Sequence, residues 1–319
     1  MPSILVVGSL NADLVVRAPR FPQPGETIRG EELQVIPGGK GANQAVAAAR
    51  LGANVSMLGR VGRDNFGDFL LDNLQANNVD TQLVQRDDAS TGAAVIVVDA
   101  EGQNSIVLSP GANGKVSPAD VERASFPTFD LLLLQLEIPT PTVFRAAQLA
   151  RQHGVRVILN PAPAQPLADE LLALADFLIP NETELSLLTD SDVRDIPSAE
   201  AAAKRLLVRG AQTIIVTLGS KGALIVNKDT SEHINAFKVN AVDTTAAGDA
   251  FIGGFAVELI RHSRDSLPPA NALENATYAK HIQQAVRYGC ACGALAATKF
   301  GAQPSLPGRA EVETFLARF

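Results

Sequence analysis

The apolar residues of this chain follow two patterns that alternate along most of its length. Short, nearly continuous apolar runs have the length of strands that are buried on both faces. Between them, apolar residues recur at the spacing of one helix face, as in helices that cover a sheet. This alternation predicts an α/β fold with a doubly wound, mostly parallel sheet. The predicted strands span residues 4–8, 55–61, 131–137, 155–159, 177–179, 213–217 and 223–226.

Residues that commonly start or stop helices bound several of the predicted helices. Gly52 and Gly154 are placed to end two of them, and Thr140 is placed as an N-cap before Pro141. Residues 267–269 include two prolines and interrupt the pattern. No internal repeat divides the chain, so we expect a single domain over residues 1–319. The predicted helices span residues 44–51, 65–77, 140–154, 198–209, 250–262, 276–298 and 309–318.

Two segments depart from this alternation and predict a second, smaller sheet. Residues 14–35 are rich in proline and glycine and contain only short alternating runs. Residues 92–99 and 105–109 alternate on either side of Gly102, as the strands of a hairpin do. We expect the two segments, about residues 12–37 and 91–110, to combine into a β-sheet lid that covers the site.

Residues 233–242 form an extended run that predicts a strand, and residues 242–251 read as the end of that run, a turn of small residues and the start of a helix. Small residues let a ligand approach the backbone, and the first amides of a helix favour an anion. Asp249 lies in that first turn, where it could take a proton from a hydroxyl while the amides hold a phosphoryl group. The structural alternative is that Asp243 caps a turn and Asp249 is an acidic residue at a helix N-terminus.

Polar side chains recur where predicted strands end or helices start. Right-handed crossovers bring the carboxyl ends of parallel strands to one rim, where ligands of such sheets collect. A structural reading stands beside this one. Asn11 and Asp13 could be turn residues, Lys40 a solvated loop residue, and residues 181–184 a capping box. The residues in these positions are Asn11, Asp13, Lys40, Asn43, Glu137, Asn181, Glu184, Thr217 and Asp249.

This set of side chains fits phosphoryl transfer to a polyol hydroxyl. Amides and carboxylates bind sugar hydroxyls, a glycine-rich turn holds the phosphate, a metal neutralises it, and one carboxylate acts as base. The glycine-rich loop at residues 37–43 is not a Walker A loop, because Gly41 stands where Ser or Thr should follow Lys40. The G-x-G-x-x-G pattern of dinucleotide-binding proteins does not occur either.

The composition of the chain limits which partners it can bind and in which cell compartment we expect it. A hydrophobic fraction of 46% and a charged fraction of 19% fit a globular enzyme, and a net charge of −7 argues against a nucleic-acid partner. Cys290 and Cys292 stand two apart on a predicted helix, which disfavours a disulfide, and the four histidines show no zinc spacing. No apolar run has the length of a membrane span, and residues 1–8 lack the features of a signal peptide. We therefore expect a cytoplasmic protein without a membrane partner.

Seven motifs stand in an order typical of one enzyme family. Residues 38–43 and 243–251 match its two signatures, and shorter motifs lie at residues 11–13, 160–163, 180–184, 217–219 and 301–305. On these motifs the chain resembles the ribokinase, or PfkB, family of carbohydrate kinases along essentially its whole length. The resemblance implies a ribokinase-like fold and ATP-dependent phosphorylation of D-ribose at its 5-hydroxyl. It also implies Mg²⁺, a monovalent cation, usually K⁺, and a homodimer formed through the lid.

The resemblance also implies a role for each residue that matches a family motif. Asp249 would be the base, and the backbone amides of Ala246, Ala247, Gly248 and Asp249 would form the anion hole. The implied sugar-binding residues are Asn11, Ala12, Asp13, Gly39, Lys40, Gly41, Ala42, Asn43, Glu137 and Asp249. The implied nucleotide-binding residues are Asn181, Thr217, Leu218, Gly219, Ser220, Lys221, Gly222, Gly248 and Asp249. Glu184 would support Mg²⁺, and the implied K⁺ ligands, several through carbonyls, are Asp243, Thr245, Ala296, Lys299, Gly301 and Ser305.

Two alternative functions stay open at this point. The first is a sister kinase of the same family that acts on 2-deoxyribose, fructose, a nucleoside or a sugar phosphate. Asn11 bears on this choice, because deoxyribose kinases resemble the chain closely but tend to have an apolar residue in place of that amide. The second is a sugar-sensing protein on an inactive kinase fold, which the intact pair Gly248-Asp249 argues against.

Overall fold

The computed structural model of the chain describes residues 3–261 and 276–319. The proline break expected at residues 267–269 and the predicted helix end at His262 lie outside the described residues. The strands within the described part are β1 (Ser3–Val7), β2 (Asn11–Arg17), β3 (Gln34–Gly38), β4 (Asn54–Gly62), β5 (Val79–Asp87), β6 (Gly92–Val98), β7 (Asn104–Ser109), β8 (Leu131–Leu134), β9 (Arg156–Leu159), β10 (Phe177–Leu178), β11 (Thr213–Thr217), β12 (Ala223–Asn227) and β13 (Ser231–Ile234).

The helices alternate with these strands, as the sequence predicts. Residues 111–115, 126–128, 219–221 and 303–305 form short 3₁₀ turns. The α-helices of the described part are α1 (Lys40–Arg50), α2 (Asn65–Ala76), α3 (Pro118–Val121), α4 (Thr140–Gln152), α5 (Asp169–Leu172), α6 (Glu182–Thr189), α7 (Ile196–Val208), α8 (Ala247–Arg261), α9 (Ala276–Ala297) and α10 (Arg309–Leu316).

A nine-stranded sheet forms the centre of the molecule, in the order β13-β12-β11-β10-β9-β8-β1-β4-β5. Its strands run parallel from β11 to β5, and β12 and β13 continue the sheet antiparallel to their neighbours. Consecutive residues of β1 pack on opposite sides: Ile4 joins the core beneath α1, α8 and α9, whereas Leu5 joins the core beneath α4 and α7. Helices therefore cover both faces, as in a doubly wound fold.

A separate four-stranded sheet has the order β3-β2-β6-β7. Strand β2 runs parallel to β6, and the other neighbours are antiparallel. The hairpin of β6 and β7 turns at Gly102, where φ is +80°, a conformation that favours glycine. The sheet thus joins residues 11–38 to residues 92–109, which are the two segments that the sequence predicts to come together.

Some local predictions were wrong, and each has a physical reason. Strand β5 was not predicted, because it is a half-exposed edge strand with few apolar residues. Helix α1 starts at Lys40 and not at residue 44, because Gly39 provides the first carbonyl acceptor. Thr140 is the first residue of α4 and not its N-cap, a position taken by Pro139. Asn11 and Asp13 lie in β2 and not in a turn.

The run before Asp249 is also not a strand up to residue 242. Strand β13 ends at Ile234, and residues 235–246 are irregular. The amides of Val242 and Asp243 donate to the carbonyl of Ala297 at 2.7 and 3.2 Å, so the segment is held by the end of α9 and not by a neighbouring strand.

Candidate active site

Most of the polar residues singled out in the sequence lie along the carboxyl edge of the large sheet and at the first turns of the helices that follow, whereas Asn11 and Asp13 lie in β2 of the small sheet. Lys40 and Asn43 open α1, Glu137 lies just beyond β8, and Asp249 is in the first turn of α8. Asn181 lies beyond β10 and pairs with Thr217 at the end of β11 through an isolated parallel bridge. Residues far apart in the sequence therefore meet at one rim.

Asp249 is buried, with 5% of its surface exposed. Its Oδ2 accepts a hydrogen bond from Asn43 Nδ2 at 2.9 Å, and its Oδ1 accepts one from Gln44 Nε2 at 3.0 Å. Burial raises the pKa of Asp249, Lys40 and these two amides lower it, and Glu137 raises it, with a net upward direction. The carboxylate is thus a more basic group than an exposed aspartate, which suits a proton acceptor.

The turn before Asp249 leaves room for a ligand at Gly248. A Cβ added at Gly248 would meet no atom within 4 Å. The amide of Ala247 donates to the carbonyl of Thr244 at 3.1 Å, and the carbonyl of Ala246 accepts from Ala250 as the helix begins. The amides of Gly248 and Asp249 are then the donors of this first turn that best suit an anion in the open space.

Glu137 organises the loops that follow β1 and precede α1. Its Oε2 accepts from the Ser9 hydroxyl, from the Lys40 amide at 3.1 Å and from Asn11 Nδ2 at 3.4 Å. The loop around Lys40 approaches β1 so closely that a Cβ at Gly41 would lie 2.6 Å from the Ser9 nitrogen. A carboxylate that gathers donors from three segments holds the start of α1 in place.

Asp13 projects from β2 toward the same carboxylates. Burial, together with the nearby charges of Glu137 and Asp249, raises the pKa of Asp13 to about 7. Gly38 makes room for it, since a Cβ there would lie 2.1 Å from an Asp13 carboxylate oxygen. Burial lowers the pKa of Lys40, but Asp249, Glu137 and Glu184 together raise it more, so this lysine is the charged partner of the acidic cluster.

The residues expected at the nucleotide surround the bridge between Asn181 and Thr217. Asn181 and Glu184 form the full capping box of α6, with the Glu184 amide bonded to Asn181 at 2.8 Å and the Asn181 amide bonded to Glu184 at 2.9 Å. The capping reading is therefore correct. Residues 217–222 pass from β11 through a 3₁₀ turn to β12, and Lys221 pairs with Glu182 at 3.0 Å. Burial raises the pKa of Glu184, against the effects of Asn181 and Lys40.

Three of the residues expected at K⁺, Asp243, Thr245 and Gly301, are joined by hydrogen bonds. The two oxygens of Asp243 accept from the Thr245 and Gly301 amides, each at 2.9 Å, so this side chain ties the two loops together. Burial raises the pKa of Asp243, but these hydrogen bonds lower it more. The Lys299 ammonium pairs with Glu311 at 2.7 Å, and the Ser305 hydroxyl donates to Ala302 at 2.7 Å. Among the described residues, no three His, Cys, Asp or Glu side chains cluster as metal ligands.

The structure adds polar residues that sequence reasoning missed. Ser9 and Gln44 contact Glu137 and Asp249, and Gln135 donates to Gln44. Asn113 bonds the amide and the carbonyl of Leu10 and donates to Asn11 Oδ1 at 2.7 Å. Gln135 had a signal, because it interrupts an otherwise apolar run, whereas Asn113 lies in a loop among other polar residues. In the part of the chain that the structure describes, no helix has the length and apolarity of a membrane span.

A family model described as pfkB family carbohydrate kinase matches residues 1–309. This chain belongs to the pfkB family of carbohydrate kinases. Relatives of this pfkB-family chain include the ribokinase of Haemophilus influenzae, which is 43% identical over 317 residues, or 98% of each chain. The deoxyribokinase of Salmonella typhi is 45% identical over 257 residues, which cover 79% of this chain and 84% of the relative.

The pfkB-family chain also resembles solved structures over its whole length. The structure of Arabidopsis thaliana ribokinase complexed with ribose and ATP has a TM-score of 0.87 at 33% identity and covers 99% of this chain and 98% of that one. The predicted fold class and the predicted family are both confirmed. The chain is therefore a sugar kinase of the pfkB family, and the hydrogen bond from Asn43 to Asp249 joins its motif at residues 38–43 to its motif at residues 243–251.

Proposed function

We propose that this protein transfers the γ-phosphoryl group of ATP to the 5-hydroxyl of D-ribose, with Asp249 as the base. One observation carries the proposal: a buried carboxylate with raised pKa lies in the first turn of α8, beside open space at Gly248 and beside Lys40. Relatives named ribokinase, about as long as this chain, support ribose as the acceptor.

The transfer requires a base, an anion site and a fixed acceptor. Asp249 takes the proton of the sugar 5-hydroxyl while the 5-oxygen of the sugar forms a bond to the γ-phosphorus of ATP. The bond between that phosphorus and the oxygen that bridges it to the β-phosphate breaks, and ADP leaves. Of the expected anion-hole amides at residues 246–249, those of Gly248 and Asp249 would stabilise the charge on the transferring group, because the Ala247 amide donates to Thr244. Lys40 supplies a positive charge beside the phosphates and balances the carboxylates around it.

The sugar would lie between the two sheets. Glu137, Asp13 and Asn43 provide acceptors, and the buried Asn43 Oδ1 has no hydrogen-bond partner among the described residues. A sugar hydroxyl would satisfy that oxygen, whose isolation otherwise costs free energy. The remaining proposed sugar-binding residues are Asn11, Ala12, Gly39, Lys40, Gly41 and Ala42.

The nucleotide would lie over the neighbouring strand ends. Beside the bridge of Asn181 and Thr217, a Cβ at Gly219 would meet no atom within 4 Å, which leaves the backbone there open to a ligand. The remaining proposed nucleotide-binding residues are Leu218, Ser220, Lys221, Gly222, Gly248 and Asp249.

Two cations would assist the reaction. Mg²⁺ in kinases binds through one or two carboxylates and the substrate phosphates, and Glu184, which faces Lys40 and Asp249, fits that arrangement. Oxygen donors suit a monovalent cation such as K⁺, and Asp243 holds together the loops that would provide them. When bound, the metals would neutralise phosphate charge. The proposed K⁺ ligands are Asp243, Thr245, Ala296, Lys299, Gly301 and Ser305.

The small sheet would act as the lid and as a dimer contact. Its register places Asp13, Ala94 and Leu108 on one face together with Val15, Ile96 and Ile106. On that face Ile106 and Leu108 are 48% and 46% exposed, which favours a second copy of the chain as cover. Cys290 and Cys292 are buried free thiols, in keeping with a cytoplasmic enzyme.

The test is ADP release from ATP and Mg²⁺ with ribose, 2-deoxyribose, fructose, adenosine and fructose 6-phosphate, each in K⁺ and in Na⁺. Turnover that is fastest with ribose and faster in K⁺ supports the proposal and its cation site. A protein that binds a sugar but turns over none of them would be a sensor on an inactive kinase fold and would refute the proposal.

2-Deoxyribose is the second candidate substrate, because the deoxyribokinase of Salmonella typhi is 45% identical over 257 residues. Asn11 favours ribose. Its Oδ1 is occupied by Asn113, so its Nδ2 is the group oriented toward Glu137 and the site. A donor at that place suits a hydroxyl that 2-deoxyribose lacks. A higher kcat/KM for 2-deoxyribose than for ribose in the same assay would select the second candidate.

A further inference from the structure

Behind Asp249, buried amide side chains form a chain of hydrogen bonds. Gln135 Nε2 donates to Gln44 Oε1 at 2.6 Å, and Gln44 Nε2 donates to Asp249 Oδ1 at 3.0 Å and to Asn160 Oδ1 at 3.3 Å. Asn160 Nδ2 then donates to the carbonyl of Ile179 at 2.9 Å. Gln44 and Gln135 are fully buried. These residues come from α1 and from the loops after β8 and β9, so the chain crosses the sheet beneath the site.

The direction of this chain is fixed by the acceptors at Ile179 and at Asp249. The backbone carbonyl of Ile179 can only accept, which turns the Asn160 oxygen toward Gln44. Gln135 presents its NH₂ group to Gln44, so the Gln44 oxygen faces Gln135 and its NH₂ group faces Asp249. A reversed Gln44 amide would set oxygen against oxygen at Asp249 and at Asn160.

The two oxygens of Asp249 are thereby held by two neighbouring residues of α1. Asn43 binds Oδ2 and Gln44 binds Oδ1, which fixes the rotation of the carboxylate about its last bond. Donors to the ionised form also oppose the effect of burial and keep the carboxylate available as a proton acceptor. Asn43 also borders the sugar site, whereas Gln44 contacts the carboxylate from the buried side.

We propose that Gln44 is a positioning residue for the base Asp249, and that Gln135 acts through Gln44 by donating to its amide oxygen, which favours the orientation with the NH₂ group toward Asp249. The proposal rests on the proposed function, since it assumes that Asp249 takes a proton. The two buried glutamines would affect the rate of phosphoryl transfer without contacting either substrate. Their substitution should therefore lower kcat and leave KM nearly unchanged.

The first experiment compares Gln44→Met and Gln44→Glu with the wild type, using the sugar that the wild type phosphorylates best. Methionine keeps the length but removes the donor, and glutamate adds a negative charge beside Asp249. We expect kcat to fall by about tenfold to hundredfold in both, with dissociation constants for sugar and ATP within about threefold.

The pH profile distinguishes positioning from a purely structural role. Loss of a donor, or a new negative charge, raises the pKa of Asp249, so the acidic limb of the kcat profile should move to higher pH, further for Gln44→Glu. The other charged groups around Asp249 are Lys40 of α1, Glu137 beyond β8, Asp13 of β2 and Glu184 of α6. These groups are the same in every variant, so a displaced limb reports the change at residue 44.

Gln135→Glu tests the direction of the chain without touching Asp249. A carboxylate at residue 135 attracts the Gln44 NH₂ group, so the Gln44 oxygen turns toward Asp249 and kcat should fall as in the Gln44 variants. Asp176→Asn is the matched control. Asp176 is buried, accepts from the Val157 amide at 2.7 Å and precedes β10, at the opposite edge of the sheet. Its loss should lower the melting temperature without moving the acidic limb.

Each outcome decides the proposal. A lower kcat with a displaced acidic limb in the Gln44 variants and in Gln135→Glu supports it. Provided that the wild type is active, the proposal is overturned if kcat of these variants stays within about threefold of the wild-type value, or if the acidic limb of their pH profile does not move. If Gln44→Met does not fold, Gln135→Glu decides alone by the same two readouts. A wild type without turnover on any sugar refutes the proposed function, and this proposal with it.

Discussion

At the scale of single residues, burial and neighbouring charge together set the protonation of the acidic cluster. Glu137 raises the pKa of both Asp13 and Asp249, Asp249 also raises that of Asp13, and Lys40 is the cation among them. Such crowding costs folding free energy, which is typical of sites shaped for a ligand and not for stability. Two predictions belong to this scale.

Asp13 should make the protein less stable at alkaline pH. Its pKa is about 7 in the folded state against 3.8 as the ordinary value, so its stabilising contribution is full below 3.8 and is lost as pH rises through 7. Asp13→Asn should remove this dependence, which amounts to about 4 kcal/mol between pH 4 and pH 8. Urea unfolding at both pH values measures it. Asp88→Asn, with a 97% exposed side chain, is the control, and an equal pH slope in both variants would contradict the prediction.

Asp249→Asn should nearly abolish turnover while the substrates still bind. Asparagine keeps the shape and one acceptor oxygen but cannot take the proton of the sugar hydroxyl. We expect kcat to fall by about a thousandfold or more, with dissociation constants for ribose and ATP within about threefold. Single-turnover kinetics and calorimetric titration give the two quantities. Turnover within tenfold of the wild type would remove Asp249 from the mechanism.

At the scale of elements, glycine has a different role at the start of α1 than at the start of α8. Gly41 and Gly248 both open a helix beside the site, but only Gly41 is enclosed by backbone. The sequence shows both as glycines and does not distinguish them. Helix α6 likewise starts with a capping box whose carboxylate also faces the acidic cluster.

Gly248→Ala and Gly41→Ala should therefore fail in different ways. At residue 248 the added methyl group occupies open space, so stability should stay within about 1 kcal/mol of the wild type while the KM for ATP rises and kcat falls. At residue 41 it would meet the Ser9 nitrogen at 2.6 Å, and we expect destabilisation of about 2 kcal/mol or more. Thermal unfolding and steady-state kinetics of the two variants provide the comparison, and equal stability losses would contradict it.

Glu184→Gln separates capping from metal support. Glutamine can replace glutamate in a capping box, so the free energy of unfolding should change by less than about 0.5 kcal/mol. The lost charge should raise the Mg²⁺ concentration needed for half-maximal turnover. Asn181→Ala is the complementary variant, because it removes the cap and should cost about 1 kcal/mol. An unchanged Mg²⁺ requirement in Glu184→Gln would leave Glu184 with the capping role alone.

At the scale of the whole molecule, the small sheet is the part for which we propose a contact with a second chain. One face of it carries Asp13 at the site and Ile106 and Leu108 in solvent. A dimer through this face would bury the exposed side chains and link assembly to sugar binding. The large sheet has helices on both faces and needs no such cover.

Ile106→Lys should break the proposed dimer. A charge in the middle of that face opposes its burial, so we expect a shift from dimer to monomer and a rise of at least about tenfold in the KM for ribose. Val208→Lys is the matched control, since Val208 of α7 is 89% exposed and lies outside the small sheet. Analytical ultracentrifugation measures the assembly. A monomeric wild type, or a dimer that survives Ile106→Lys, would contradict the prediction.

The sequence alone determined the α/β class, most strands and helices, and the motifs that mark the family. These follow from local patterns: apolar runs such as residues 131–134, caps such as Asn181 and Glu184, and glycine-rich turns. Only the tertiary structure decided which strands are neighbours, how Asp249 is held and which glycines are enclosed. Gln44 and Asn113 have no distinctive local pattern, and the polar break at Gln135 does not reveal its partner, because the partners of these residues lie 91 to 205 residues away in the sequence. Contacts of that kind exist only once the sheet has brought its strand ends together.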